Sequence, residues 1–200
     1  MGIFTESEVE YMGEHPLGVL ATVAKNGDPH AVPVNYMYNP EFESIDVVGW
    51  RLETTQKFKN IVGFGRASFA IHDVVSLMPY QTRFLHIRGA AKIVTRKPTD
   101  PIPMLPGAAQ MPPEILALRA RSISLEMIRI YVEKIVAAAV GDDPTEVLSR
   151  TYGPDHELVE THRNGGFNPS SRRAMRSLGC RGITIITWIA EYYIHGMQKC

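Results

Sequence analysis

Residues 17–34 read LGVLATVAKNGDPHAVPV, and this stretch has the pattern of two strands around a tight turn. Leu17, Val19, Ala21 and Val23 alternate with smaller or more polar neighbours, as in a strand buried on one face. Lys25-Asn26-Gly27-Asp28 supplies residues that tolerate positive φ, so the chain can reverse there. The return strand, from Pro29 to Tyr38, sets His30, Val32, Val34 and Tyr36 on one face and Ala31, Pro33 and Asn35 on the other. Proline lacks the N–H of a ladder donor. Pro33 therefore calls for an edge, a bulge, or a place where something other than a strand lies alongside.

Outward from this hairpin the pattern continues as short strands and helices. Thr5 and Glu8 have the spacing of a capping box, which predicts a helix to about Glu14 with Val9 and Met12 inward. Asn39-Pro40 begins a second turn, and Ile45 to Trp50 forms a third strand in an antiparallel meander. Thr54-Thr55 then suits an N-cap, with Phe58, Ile61 and Val62 at helical spacing before Gly63 and Gly65. Ala67 to His72 reads as a fourth strand, Asp73 to Thr82 as a loop, and Phe84 to Thr95 as a fifth strand. Gly89 inside the fifth strand marks a bulge or a close backbone approach. Six prolines between Arg96 and Pro113 make an extended loop. A short helix follows from Glu114 to Ser124, with Ile115, Leu118 and Ile123 inward, and then a sixth strand from Met127 to Val140. Ile183 to Ile194 is apolar, and its pattern fits a strand or a helix.

Two hundred residues suit a single main domain, large enough to bury about 70% of its unfolded surface. Twenty-one basic residues balance twenty-one acidic ones, so no global charge favours nucleic acid or an anionic membrane. No apolar run approaches the ~20 residues of a membrane helix. Residues 1–15 hold four glutamates and no basic leader, unlike a signal peptide. The two cysteines, Cys180 and Cys200, give no disulfide framework. The expected compartment is the cytoplasm.

Four stretches, LGVLATVAKNGDPHAVPVNYMYN, SIDVVGW, TTQKFKNI and FLHIRGAAKIV, in this order and spacing, resemble the pyridoxamine-phosphate-oxidase-like split-barrel flavoproteins. The resemblance runs from Phe4 to Val136 and points to the branch that uses the deazaflavin F420, which includes reductases of polyketide antibiotics. It implies a mainly β fold, a six-stranded antiparallel split barrel with small helices, over residues 1–141. Residues 142–200 would form a C-terminal extension of unknown structure. It also implies a homodimer, with cofactor in the groove between subunits. Family members often carry Trp-Gly near the last strand, where this chain has Ala137-Ala138-Ala139.

The resemblance further assigns candidate site residues. His30, Ala31, Val32, Pro33 and Val34 would run along the flavin or deazaflavin ring, flanked by Val48, Gly49 and Trp50. Thr55-Gln56-Lys57 matches the Ser/Thr-x-Lys motif set against the cofactor phosphate, though the middle position is often Arg. The physics of that assignment is independent of family. A helix N-terminus offers free N–H groups and about half a positive charge, to which Thr54, Thr55 and Lys57 would add donors. Read alone, Lys57 fits a solvated lysine on a short helix better, and it is the resemblance that favours the phosphate contact. Arg83 and Arg88, with Arg51 and Lys59, are candidates for an acidic cofactor tail, since arginine is seldom buried without a partner.

Other patterns lead away from other chemistries. Gly63-Phe-Gly65 follows a helix and precedes a strand, the wrong order for a dinucleotide turn. His156 and His162 stand six apart and diverge on a helix, whereas a zinc protease needs a spacing of four. His72-Asp73 has no nucleophile in a strained elbow beside it. The expected function is hydride transfer from reduced F420 to an unsaturated or ketone-bearing organic substrate, such as a dehydrotetracycline-like polyketide. The alternatives are an FMN-dependent oxidase or reductase, or a non-catalytic flavin or haem binder. Tyr36, Tyr38, His72 and Tyr80 are the proton-donor candidates.

Overall fold

The computed structural model describes residues 2–78, 80–97, 111–141 and 143–164. Most of the proline-rich loop, the apolar stretch at 183–194 and both cysteines lie outside the described residues. The opening stretch folds as its pattern predicts, with β1 (Leu17–Val23) and β2 (Pro29–Asn39) pairing antiparallel, Val23 opposite Pro29. Gly27 takes φ +92° in the turn, and the Ala24 N–H donates to the Asp28 carbonyl to close it. β2 buries its even-numbered side chains more than its odd ones, as expected. β1 reverses the expectation: Gly18, Leu20 and Thr22 face inward, while Leu17 is 54% exposed. The Phe69 ring is the reason, because a Cβ on Gly18 would stand 2.1 Å from it. Only the row carrying the glycine fits inside, so Val19 and Ala21 turn outward.

The capping box forms as predicted and starts α1 (Glu6–Glu14), which buries Glu8, Tyr11 and Met12 but leaves Val9 exposed. β3 (Ser44–Val47) ends three residues before the expected Trp50. One 3-10 turn, Leu52–Thr54, leads into α2 (Gln56–Phe64). Gly65 alone caps this helix, at φ +63° with its N–H on the Ile61 carbonyl. Ile61 is buried and Phe58 packs against the core, whereas Val62 faces solvent.

β4 (Arg66–Leu77) and β5 (Tyr80–Thr95) form one long hairpin, so most of the loop expected at 73–82 is strand. β-branched Val74 and Val75 suit it, and Asp73 lies opposite Arg83, to which it is ion-paired. The bulge expected at Gly89 is present against β6 (Glu126–Ala138), where a Cβ would sit 1.7 Å from the Tyr131 carbonyl oxygen. α3 (Pro113–Ser122) meets the barrel at its C-terminal end. There Ile123, just beyond it, packs with Val48 and Met127. Ile115 and Leu118, expected inward, are exposed.

Six strands in the order β3-β2-β1-β4-β5-β6 close into a barrel because β6 divides its second edge. Its Ile128–Tyr131 half pairs with β3, and Lys134–Ala138 pairs with β7 (Val147–Tyr152). β8 (Leu158–Asn164) follows, so the described sheet has eight strands rather than six. Fully buried Leu20, Ile45, Phe69, Leu85, Ile87 and Ile135 fill the barrel.

Both β7 and β8 lie beyond the expected domain edge at 141, yet they continue the barrel's sheet, β7 pairing with β6 and β8 with β7. β7 reaches back to the N-terminus. Arg150 pairs with buried Glu8 and donates to the Ile3 carbonyl, and the Tyr152 hydroxyl donates to that carbonyl at 2.8 Å. Polarity hid these strands, and the charged Arg150 of β7 finds its partner in Glu8, far away in sequence.

Candidate functional site: the start of α2 and the open edge of β2

Thr55 caps α2, its Oγ1 accepting from the Phe58 N–H. That hydroxyl donates its own proton to the Leu52 carbonyl at 2.6 Å, and Thr54 donates to the Arg51 carbonyl at 2.8 Å. Both threonine hydroxyl protons thus go to backbone carbonyls here. The donors left at this helix start are the N–H groups of Gln56 and Lys57, which have no intrahelical acceptor, and the Lys57 ammonium. Lys57 is half-buried, and this burial lowers its pKa. Lys59, two residues on, is exposed.

Buried Asn60 fastens this helix to the hairpin. It accepts from the Gln56 amide at 2.6 Å and donates to Thr22 Oγ1 at 3.0 Å, and Thr22 faces His30 across the ladder. A cleft of about 490 Å³ opens at this junction, with Lys25, Asn26, Asp28, His30 and Gln56 in its wall. His30 Nδ1 is buried there without a hydrogen-bond partner among the described residues.

Along residues 29–35, β2 has β1 on one side and, among the described residues, no strand on the other until Tyr36 meets Val47. Pro33 thus lies on an open edge, as its missing N–H requires. Ala31 and Pro33 face outward and are exposed, whereas His30, Val32 and Val34 share the inward face. Val48 is buried with Ile123 and Met127. The Gly49 carbonyl accepts from the Ser124 N–H, and Trp50 is 65% exposed beside Ile123. The structure so joins β2 to the start of α2, and ties the 48–50 turn to residues 123–127.

Arg83 is not part of this group. Its guanidinium holds Asp73 through two hydrogen bonds, stacks over Tyr11 at 4.9 Å and reaches Glu14. Since Ala21 lies opposite Ser68, Asp73 is five residues further along β4, roughly 17 Å away. Arg51 and Arg88 are exposed. The Tyr36 hydroxyl donates to the Met12 and His15 carbonyls, and burial pushes its pKa far up, so it is a structural group rather than a proton donor. His72 and Tyr80 are exposed, and Tyr38 is half-buried with its pKa raised, mainly by burial.

Sequence reasoning passed over Ser68 and His86, whose Oγ and Nε2 lie 2.6 Å apart. Eighteen residues separate them, and only the β4–β5 register joins them. Among the described residues no cluster of His, Cys, Asp or Glu could hold a metal, and no helix is long and apolar enough to cross a membrane.

Comparison with known proteins agrees with this architecture. A 5a,11a-dehydrotetracycline/5a,11a-dehydrooxytetracycline reductase from Streptomyces rimosus is 31% identical over 148 residues, covering 74% of this chain and 92% of the reductase. A pyridoxamine 5'-phosphate oxidase-related, FMN-binding protein from Nostoc punctiforme superposes with a TM-score of 0.53 at 10% identity, over 82% of this chain and all of that one. ChuZ from Campylobacter jejuni superposes with a TM-score of 0.51 at 12% identity, covering 80% of this chain and 62% of its own. The family model described as pyridoxamine 5'-phosphate oxidase matches residues 4–138, so the chain belongs to that family.

Proposed function

We propose that this chain is an F420-dependent oxidoreductase that reduces an unsaturated or ketone-bearing organic molecule of the dehydrotetracycline kind. The observation that carries the reading is the start of α2. There a half-buried lysine and two backbone N–H groups without an intrahelical acceptor begin a helix that Asn60 ties to Thr22 of the β1–β2 hairpin, with Gln56 and His30 in the wall of one cleft. That donor set suits a phosphate ester, because the charge is compact and the N–H groups are already oriented. The adjoining cleft of about 490 Å³, with Lys25 and Asn26 in its wall, leaves room for a cofactor that extends past its phosphate. This favours F420, with its acidic tail, over the shorter FMN.

The cofactor, when bound, supplies the hydride. The chain's own residues do the rest: Lys57 and the Gln56 and Lys57 N–H groups hold the anion, and the β2 backbone from His30 to Val34 aligns the ring's polar edge. Substrate class comes from the Streptomyces rimosus reductase, whose name states its substrates. The same reading takes the chain as a homodimer in which a second copy closes each groove, to be checked by sedimentation mass.

Fluorescence titration with F420 and FMN tests the cofactor, and turnover of 5a,11a-dehydrotetracycline with the reduced cofactor tests the reaction. Micromolar or tighter F420 binding with weaker FMN binding is expected. Equal or tighter FMN binding would replace F420 by FMN in this reading, and binding of neither would end it.

A further inference from the structure

On the outer face of the barrel, strand pairing sets two rows of residues side by side. One row is Ala31, Ala21, Ser68 and Arg88; the other is Pro33, Val19, Ala70 and His86. Between the β2 edge and β4 these rows hold only Ala21 and Val19. They form an apolar shelf about 10 Å across, two strand spacings wide. At its far side stands the Ser68–His86 pair, both residues half-buried. Alanine, valine and proline on a shelf can stack against a planar apolar molecule. They cannot transfer a proton.

We propose that Ser68, backed by His86, delivers the proton that completes reduction of a substrate lying on this shelf. The inference rests on the oxidoreductase reading above. Adding a hydride to one carbon of a polarised double bond moves the π electron pair to the neighbouring carbon, or through conjugation to a carbonyl oxygen. That site must then take up one proton. Ser68 gives its hydroxyl proton to it, the protonated His86 Nε2 returns a proton to Ser68 Oγ, and the neutral imidazole is recharged from water. The reduced cofactor is the only reductant the sequence of steps needs. Ser68 is the group nearer to β2 and touches substrate; His86 acts through it.

The surroundings suit such a relay. Burial, reinforced by the Arg88 charge, holds the His86 pKa below the ordinary histidine value, so its proton leaves readily. The other titratable groups on this face are Lys134 opposite Arg88, the Arg66–Glu133 ion pair, and His72 one pairing row away. Glu133 is held by both guanidinium nitrogens of Arg66, and so does not compete for the imidazole. The bland account is a hydroxyl that merely satisfies a histidine on a sheet surface.

The test compares the full chain with Ser68→Ala and His86→Gln, the latter keeping a hydrogen-bonding group beside Ser68. Positioned proton transfer contributes about 10²–10⁴ in rate. With 5a,11a-dehydrotetracycline, kcat should therefore fall at least 100-fold in both variants, while KM and cofactor affinity hold within threefold. Wild-type kcat should rise as pH falls through the depressed His86 value, and His86→Gln should lose that limb. Imidazole-nitrogen NMR of the cofactor-free protein gives a second readout, in which 5a,11a-dehydrotetracycline shifts the His86 signal in wild type and does so less in Ser68→Ala. A kcat within threefold of wild type in His86→Gln, or an unmoved His86 signal, overturns the relay and leaves the oxidoreductase reading standing. Failure of the wild type to bind either cofactor would instead strike that reading.

Discussion

Arg150→Ala should be among the most damaging single substitutions in this chain, although Arg150 lies beyond the barrel predicted from sequence. Its guanidinium is ion-paired with Glu8, which is only 2% exposed, and donates to the Ile3 carbonyl at 3.1 Å. Truncation to alanine strands a buried carboxylate without its charge partner. Removing one member of a buried pair costs about 3–5 kcal/mol, far more than the pair itself contributes. For a unit of this size each kcal/mol moves the melting temperature by about 2–4 °C, so a drop of about 6–20 °C is expected. The assay is thermal and urea unfolding followed by far-UV circular dichroism, with Glu8→Gln/Arg150→Met as the companion. Glutamine can still accept from the Thr5 N–H, as Glu8 Oε2 does, and the double variant buries no charge. It should recover most of the loss. A chain ending at Asp143 lacks β7 and β8 and should lose cooperative unfolding. An Arg150→Ala protein within about 1 kcal/mol of wild type, or a double variant no better than the single one, would refute the reasoning.

Lys57→Ala removes a charge-assisted contact worth about 1.5–3 kcal/mol and should weaken F420 binding roughly 10- to 150-fold by fluorescence titration. Exposed Lys59→Ala should lose less, and unchanged affinity in Lys57→Ala would end the phosphate assignment. Gly89→Ala drives a methyl group onto the Tyr131 carbonyl oxygen and should cost at least the ~1–3 kcal/mol typical of overpacking, read as a lower urea midpoint. Asp73 has its pKa lowered, chiefly by its hydrogen bond from Arg83. Its stabilising effect is therefore complete above the ordinary aspartate value and lost as pH falls through the depressed one. Urea midpoints between about pH 2 and pH 6 should fall less steeply in Asp73→Asn than in wild type; parallel curves would remove Asp73 from the acid transition.

Local physics was readable along the chain. The capping box at Thr5 and Glu8, the Gly27 turn and the start of α2 at Thr55 depend on neighbours within a few residues, so the sequence alone determined them. Gly89 belongs here too, since a glycine amid strand residues signals a crowded backbone. Which face of β1 turns inward did not follow, because both rows are apolar enough and the Phe69 ring, forty-nine residues from Leu20, made the choice. Tertiary structure also decided that Arg83 pairs with Asp73 and stacks on Tyr11, and that the Thr54 and Thr55 hydroxyls donate to backbone carbonyls. β7 and β8 were hidden for the same reason. β7 is held by β6 and by Glu8, and β8 by β7, and a polar strand held by partners elsewhere in the fold leaves no periodic signal of its own. Ser68 and His86 are two ordinary strand residues until the β4–β5 register sets them side by side.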